Sequence, residues 1–75
     1  MKINPDSPRY PYLQVADHLR AQIQAGKMGP RVPSALTLSA ETGASVATVK
    51  RAFKVLHDEG VIYSVNGRGT FVAER

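Results

Sequence analysis

The sequence predicts a mainly α fold closed by a small β-hairpin: three helices, then a two-stranded wing. Three observations carry that reading. Apolar residues recur at helical spacing over Tyr12–Ile23 and again over Val49–Leu56. A proline or serine opens each expected helix and a glycine closes it: Pro11 and Gly26, Ser34 and Gly43, Ser45 and Gly60. After Gly60 the apolar period drops from about 3.6 to about 2, and a glycine-rich turn divides two short apolar runs.

Met1–Arg9 holds two of the five prolines with Asn4, Asp6 and Ser7, so residues 1–10 read as a flexible arm, extended or disordered. Its Lys2 and Arg9 either touch a phosphate backbone or simply stand in water. The folded domain is expected over 11–75. Pro11 suits the first position of a helix, where its missing N–H costs nothing, and that helix is expected to run to Ala25. Tyr12, Val15, Ala16, Leu19 and Ile23 form its apolar stripe, with Gln14, Asp17, Ala21 and Gln24 toward water. Gly26–Pro33 reads as a loop, because it holds two glycines and two prolines in eight residues. Ser34 caps a short second helix over about Ala35–Thr42, with Leu38 in the core and Ala35 and Ser39 permitting close packing. Gly43-Ala44 then turns into the third helix. Two short helices across so tight a turn cross steeply, as in a helix-turn-helix.

The third helix is expected over about 45–59. Val49, Ala52, Phe53 and Leu56 lie on one stripe; at about 100° per residue, Ala47, Lys50, Arg51 and Lys54 lie almost opposite. Ser45 is a good N-cap, since its hydroxyl accepts from an unpaired N–H of the first turn. Gly60 is a good stop, since it adopts the left-handed conformation readily. Beyond it, Val61, Tyr63 and Val65 alternate with Ile62 and Ser64, Asn66-Gly67-Arg68-Gly69 turns the chain, and Thr70-Phe71-Val72 returns. A lone hairpin is barely stable in water, so Ile62 and Phe71 are expected to pack on the helices. Helix, helix, helix, hairpin is the order of a winged helix-turn-helix.

Length and composition narrow the possible functions. Seventy-five residues make one domain, which buries only roughly 60% of its unfolded surface and supports one small core. Ten Lys and Arg against six Asp and Glu leave a net charge of +4, which favours a polyanionic partner. The absence of cysteine excludes disulfides and thiolate metal sites and points to a reducing compartment. The first residues hold no apolar run that would make a signal peptide, and no segment approaches the ~20 apolar residues of a membrane span. The chain therefore reads as cytoplasmic, with no membrane partner. His18 and His57 lack a third ligand at metal spacing, no Ser/His/Asp arrangement occurs, and Gly67-Arg68-Gly69 lacks the Lys-Ser/Thr of a phosphate loop. No cofactor, no metal and no enzyme activity are expected.

The motifs Y-x-Q-V-A-D-x-L-R-x-x-I-x-x-G (Tyr12–Gly26), V-P-S (Val32–Ser34), S-V-A-T-V-K-R-A (Ser45–Ala52), L-H-D-E-G (Leu56–Gly60) and G-R-G-T-F-V (Gly67–Val72) stand in order along the chain. Together they resemble the N-terminal DNA-binding domain of GntR-family bacterial transcription regulators, over about Tyr12 to Ala73. The resemblance implies a recognition helix in the major groove and a wing tip at the minor groove. On the helix it implies Ser45, Thr48 and Lys50 as contact positions; on the wing it implies Asn66, Gly67, Arg68 and Gly69. Two departures stand out. Leu36 occupies the place of the arginine in the family's P-S-E-R, and Val46 replaces the arginine that usually follows the cap serine. Those arginines suit guanine, because a guanidinium pairs two-pronged with O6 and N7. The loop before V-P-S is a few residues shorter than usual. Most of the family also carries an effector domain after the wing, and none is present in this chain, so it reads as a stand-alone module or an excised domain.

The expected function is sequence-specific binding of double-stranded DNA by a transcriptional regulator, a repressor by resemblance, as a homodimer on a two-fold operator, since one helix reads only about four base pairs. Ser45, Val46, Ala47, Thr48, Lys50, Arg51, Lys54, Asn66, Gly67, Arg68 and Gly69 are the expected DNA-binding residues. Each has a plainer reading: the cations as a solvated face, Ser45 as a cap, Val46 as core or as a contact to a thymine methyl. Four cations on phosphates imply a slope of log K against log salt of about −3 to −4 per protomer. The alternative is a winged-helix protein-interaction module in which Leu36, Val46 and the exposed valines bind protein. Asp58 and Glu59, at a helix C-terminus that disfavours acids, receive no functional role from the sequence.

Overall fold

The structure, a computed structural model, describes residues 1–73; the last two residues of the domain expected over 11–75 lie outside the described residues. Helix α1 spans Pro11–Gln24, α2 Ala35–Thr42 and α3 Val46–Asp58, and strands β2 Ile62–Val65 and β3 Gly69–Val72 form the wing. A two-residue strand, β1 (Arg31–Val32), precedes α2 and pairs with β3, so the sheet order is β1-β3-β2, antiparallel throughout. The fold is the mainly α winged helix-turn-helix that the sequence predicts, with a third strand added inside the expected loop. That strand follows from tertiary pairing: Val72 N–H also donates to Pro30 O at 2.8 Å, which extends the ladder past Arg31.

Local chemistry sets the helix ends. Ser34 Oγ accepts from Thr37 N–H and Ser45 Oγ from Thr48 N–H, both at 3.1 Å, so each serine satisfies a donor of its helix's first turn. Gly43 ends α2 at φ 79°, a left-handed conformation that a Cβ would strain. Around it, Thr42 Oγ–H donates to Leu38 O at 2.7 Å and Ala44 N–H donates to Thr42 Oγ1 at 3.2 Å. Ser39 Oγ–H donates to Ala44 O at 2.6 Å. These bonds satisfy the backbone of a turn whose Thr42 and Ala44 are both buried.

One core holds the elements together. Val15, Ala16 and Leu19 of α1, Leu38 of α2, and Val49, Ala52 and Leu56 of α3 meet Val32, Ala44 and Ile62 there. Val49, Ala52 and Leu56 are wholly buried, as the α3 stripe requires. Phe71 departs from expectation. Ile62 pairs with Val72 and Tyr63 with Phe71, so successive pairs point to opposite faces of the sheet. Ile62 and Val72 take the helix side, while Phe71 stacks on Tyr63 on the outer side, with ring centroids 5.7 Å apart. Inward from the tip, Ser64 Oγ lies 3.1 Å from His57 Nε2, tying the wing to the end of α3.

Polar contacts brace the remainder. Arg20 of α1 donates Nε–H to Glu59 Oε1 at 2.8 Å and Nη2–H to Oε2 at 2.6 Å, and its Nη1–H reaches Asp17 at 3.0 Å. Glu59, without a role in the sequence reading, thus joins the C-terminal end of α3 to α1. The stretch expected as an arm is laid against the helices. Ile3 N–H donates to Thr42 O at 3.0 Å, the Ile3 side chain packs on the core, and Gln14 Oε1 accepts from Asn4 N–H at 2.7 Å. Gln14 is accordingly half-buried rather than turned to water.

Candidate nucleic-acid interface

Because Val49, Ala52 and Leu56 are buried, helical geometry turns Ala47, Lys50, Arg51 and Lys54 outward, and all four are exposed. Val46, in the first turn, is half-buried. Ser45 serves as the cap; its hydroxyl also donates to Thr48 Oγ1 at 2.8 Å, which leaves Thr48's own proton available to a partner. Leu36, on the first turn of α2, is 73% exposed.

The wing stands beside α3. Val65 O accepts from Arg68 N–H at 2.9 Å, which closes the turn over Asn66 and Gly67. Gly67 takes φ 76° at the third position, where such a turn favours glycine. Between wing and helices runs an open groove of about 640 Å³, lined among others by Lys50 and Phe53 of α3, Ser34 and Ala35 at the start of α2, and Arg68 and Gly69 of the wing. Lys50 and Arg68 therefore share one surface. On the other flank of α3, Thr48 and Arg51 border a recess of about 380 Å³ with Tyr10, Pro11 and Tyr12. The Arg51 guanidinium lies 4.1 Å from the centre of the Tyr12 ring, a cation–π contact that tethers it without neutralising it.

Charge is sorted across the molecule. Arg9, Arg20 and Lys54 each meet a carboxylate, respectively Asp17, Asp17 with Glu59, and Asp58. Among the described residues, Arg31, Lys50, Arg51 and Arg68 have no carboxylate within ion-pair distance. The pairing lowers the pKa of Asp17, chiefly through its bond from Arg9 and then that from Arg20. Glu59 is lowered by its bond from Arg20, and the same bonds raise the pKa of Arg20 and Arg9. Acids thus hold Arg9 and Arg20 at α1, while among the described residues Arg31, Lys50, Arg51 and Arg68, like Lys2 and Lys27, meet no carboxylate. Lys54 differs from the other cations on α3: it points along the helix to Asp58 at 3.5 Å and borders neither cavity.

The structure gathers Lys50, Arg68 and Gly69 at the groove, with Asn66 and Gly67 at the wing tip, and sets Thr48 and Arg51 on the opposite flank. The sequence reading passes over Arg31, which joins Lys50 and Arg68 in lining the groove. Tyr12, read as part of a scaffold stripe, is also the ring under Arg51. Among the described residues no three His, Cys, Asp or Glu side chains come together to hold a metal ion, and no helix is long and apolar enough to cross a membrane.

Capped helix, glycine turn, second capped helix and cationic wing define a winged helix-turn-helix domain. The family model for bacterial regulatory proteins, gntR family, matches residues 11–72, and the chain belongs to that family. It is 38% identical over 76 residues to the HTH-type transcriptional repressor NagR of Bacillus subtilis (strain 168), covering 99% of this chain and 31% of the relative. The chain thus spans about a third of that repressor's length. Among solved structures, AraR(DBD) in complex with operator ORX1 superposes with a TM-score of 0.85 at 34% identity, covering 97% of this chain and 93% of the other. YtrA from Sulfolobus acidocaldarius, a GntR-family transcription factor, gives a TM-score of 0.87 at 33% identity, covering 99% and 80%.

Proposed function

We propose that this chain binds double-stranded DNA sequence-specifically as the DNA-binding domain of a transcriptional repressor. Helix α3 lies in the major groove and the wing tip at the adjacent minor groove. The observation that carries the reading is the shared cationic surface: Lys50 and Arg68 line one groove, and among the described residues neither has a carboxylate within ion-pair distance. Cations so placed displace condensed counterions from phosphates, which supplies most non-specific affinity. Base reading falls to the first turns of α3, where Ala47 keeps the surface shallow and Val46 and Thr48 reach edges; Ser45, Lys50, Arg51 and the wing residues Asn66, Gly67, Arg68 and Gly69 touch backbone. Lys54, at the margin of this surface, makes no net phosphate contact while its exposed pair with Asp58 holds.

One α3 reads too few base pairs for a unique site, so two copies bind a two-fold operator. The repressor names among the relatives and the operator complex of AraR(DBD) support this function over the protein-interaction alternative. Selection of bound sites from a random duplex pool tests it. A short motif repeated about a two-fold axis is expected; a pool that never enriches refutes sequence-specific binding.

A further inference from the structure

We infer that Arg31 is a positioning residue for the wing and a phosphate-facing cation in its own right, an inference that rests on the DNA-binding reading above. The residue sits on β1, the two-residue strand at the far side of β3 from the hairpin partner β2. Its backbone is fixed on both sides: it pairs with Phe71, and the adjacent Val32 is buried in the core. From there the side chain reaches over the sheet's outer face toward the tip. Its guanidinium carbon lies 5.3 Å from the centre of the Phe71 ring, and Nη2–H donates to Arg68 O at 2.6 Å. Nε passes close to Gly69, where an added Cβ would lie 3.9 Å away.

Two consequences follow. Among the described residues, this is the one side-chain hydrogen bond made to the turn between β2 and β3, which is otherwise held by the Val65–Arg68 backbone bond. Arg31 therefore sets the direction in which Arg68 leaves the sheet. Among the described residues, the remaining N–H donors of Arg31 meet no protein acceptor and no carboxylate lies within ion-pair distance. A guanidinium presents five donors in a planar fork, so one bond to a carbonyl leaves an edge free for a phosphate. Lining the same groove, Arg31, Lys50 and Arg68 form a cationic rim. The ligand it fits is the phosphodiester backbone that separates the groove occupied by α3 from the groove occupied by the wing.

The experiment compares parent, Arg31→Gln and Arg31→Lys for binding to a labelled random-sequence duplex between about 50 and 200 mM salt. With four uncompensated cations on phosphates, the parent loses about 150-fold in affinity over that range. Arg31→Gln removes one of them and should lose only about 40-fold, with weaker binding at the lowest salt. Arg31→Lys keeps the charge and should retain the parental salt dependence. Because lysine lacks the planar fork, both variants should shift the amide resonances of Arg68 and Gly69 in the free protein. A thermal melt confirms that each variant is folded. If the parent binds duplex DNA and Arg31→Gln matches it in salt dependence, the phosphate role is wrong; if the wing amides do not move, the positioning role is wrong. A parent that does not bind duplex at all overturns instead the reading on which the inference rests.

Discussion

Removing two cations from α3 should change how binding responds to salt, not merely its strength. Lys50 and Arg51 are exposed and among the described residues lack carboxylate partners, and neither belongs to the core, so the double variant Lys50→Ala, Arg51→Ala should fold. Counting Arg31, Lys50, Arg51 and Arg68 as phosphate contacts, and leaving out the paired Arg9, Arg20 and Lys54, gives a slope of log K against log salt of about −3.6 per protomer. Two contacts remain in the double variant, for a slope of about −1.8. Between about 50 and 200 mM salt the parent should weaken about 150-fold and the variant about 12-fold. Fluorescence anisotropy on a labelled duplex measures both slopes, and circular dichroism checks the helices. A variant that weakens but keeps the parental slope would refute the assignment of these side chains to phosphates.

Other consequences concern stability and specificity. Glu59 and Asp17 titrate lower in the folded state than unfolded. Their stabilising contribution is therefore complete above the unfolded value near about 4 and is lost as pH falls through the folded one. Denaturant titrations should show Arg20→Gln flattening the fall in stability below about pH 5. Glu59 is 39% exposed, so solvent screens the pair and the change at neutral pH should stay near 1 kcal/mol, about the value of an exposed pair. Leu56→Ala, at a wholly buried site on α3, should cost about 2–5 kcal/mol in urea unfolding; a loss below about 1 would mean that α3 is not seated on the core. Leu36→Arg and Val46→Arg should draw guanine into the selected site, with about 1–3 kcal/mol of discrimination per position. An unchanged site would remove both positions from base readout.

The helices were legible because their signals are local. Ser34 with Gly43, and Ser45 with Gly60, mark ends that the backbone adopts, and the α3 stripe needs only its own spacing. What escaped depends on distant partners. A two-residue strand has no period, so Arg31–Val32 becomes a strand only once Phe71 and Thr70 lie beside it. Alternation shows which wing residues share a face but not which face is inward, since Tyr63 with Phe71 and Ile62 with Val72 are both pairs of large side chains that favour burial. Arg51 over Tyr12 joins two helices, and Ile3 on Thr42 joins the first residues to the helical turn; neither leaves a mark in local composition. Part of the interface was legible for the same reason as the helices. Lys50 and Arg51 face away from a stripe readable by eye, whereas the convergence of Lys50, Arg68 and Arg31 needs the packed sheet.

The central claim is that α3 and the wing enter neighbouring grooves of one duplex. The chain lacks cysteine, so Ala47→Cys on α3 or Asn66→Cys at the wing tip introduces a single thiol for a DNA-cleaving iron chelate. On a selected operator, the label at Ala47 should cut from the major groove and the label at Asn66 from the adjacent minor groove, giving strand cleavages staggered in opposite directions. Cleavage with the same stagger from both positions, or none from Ala47 while the labelled protein remains bound, would contradict the account.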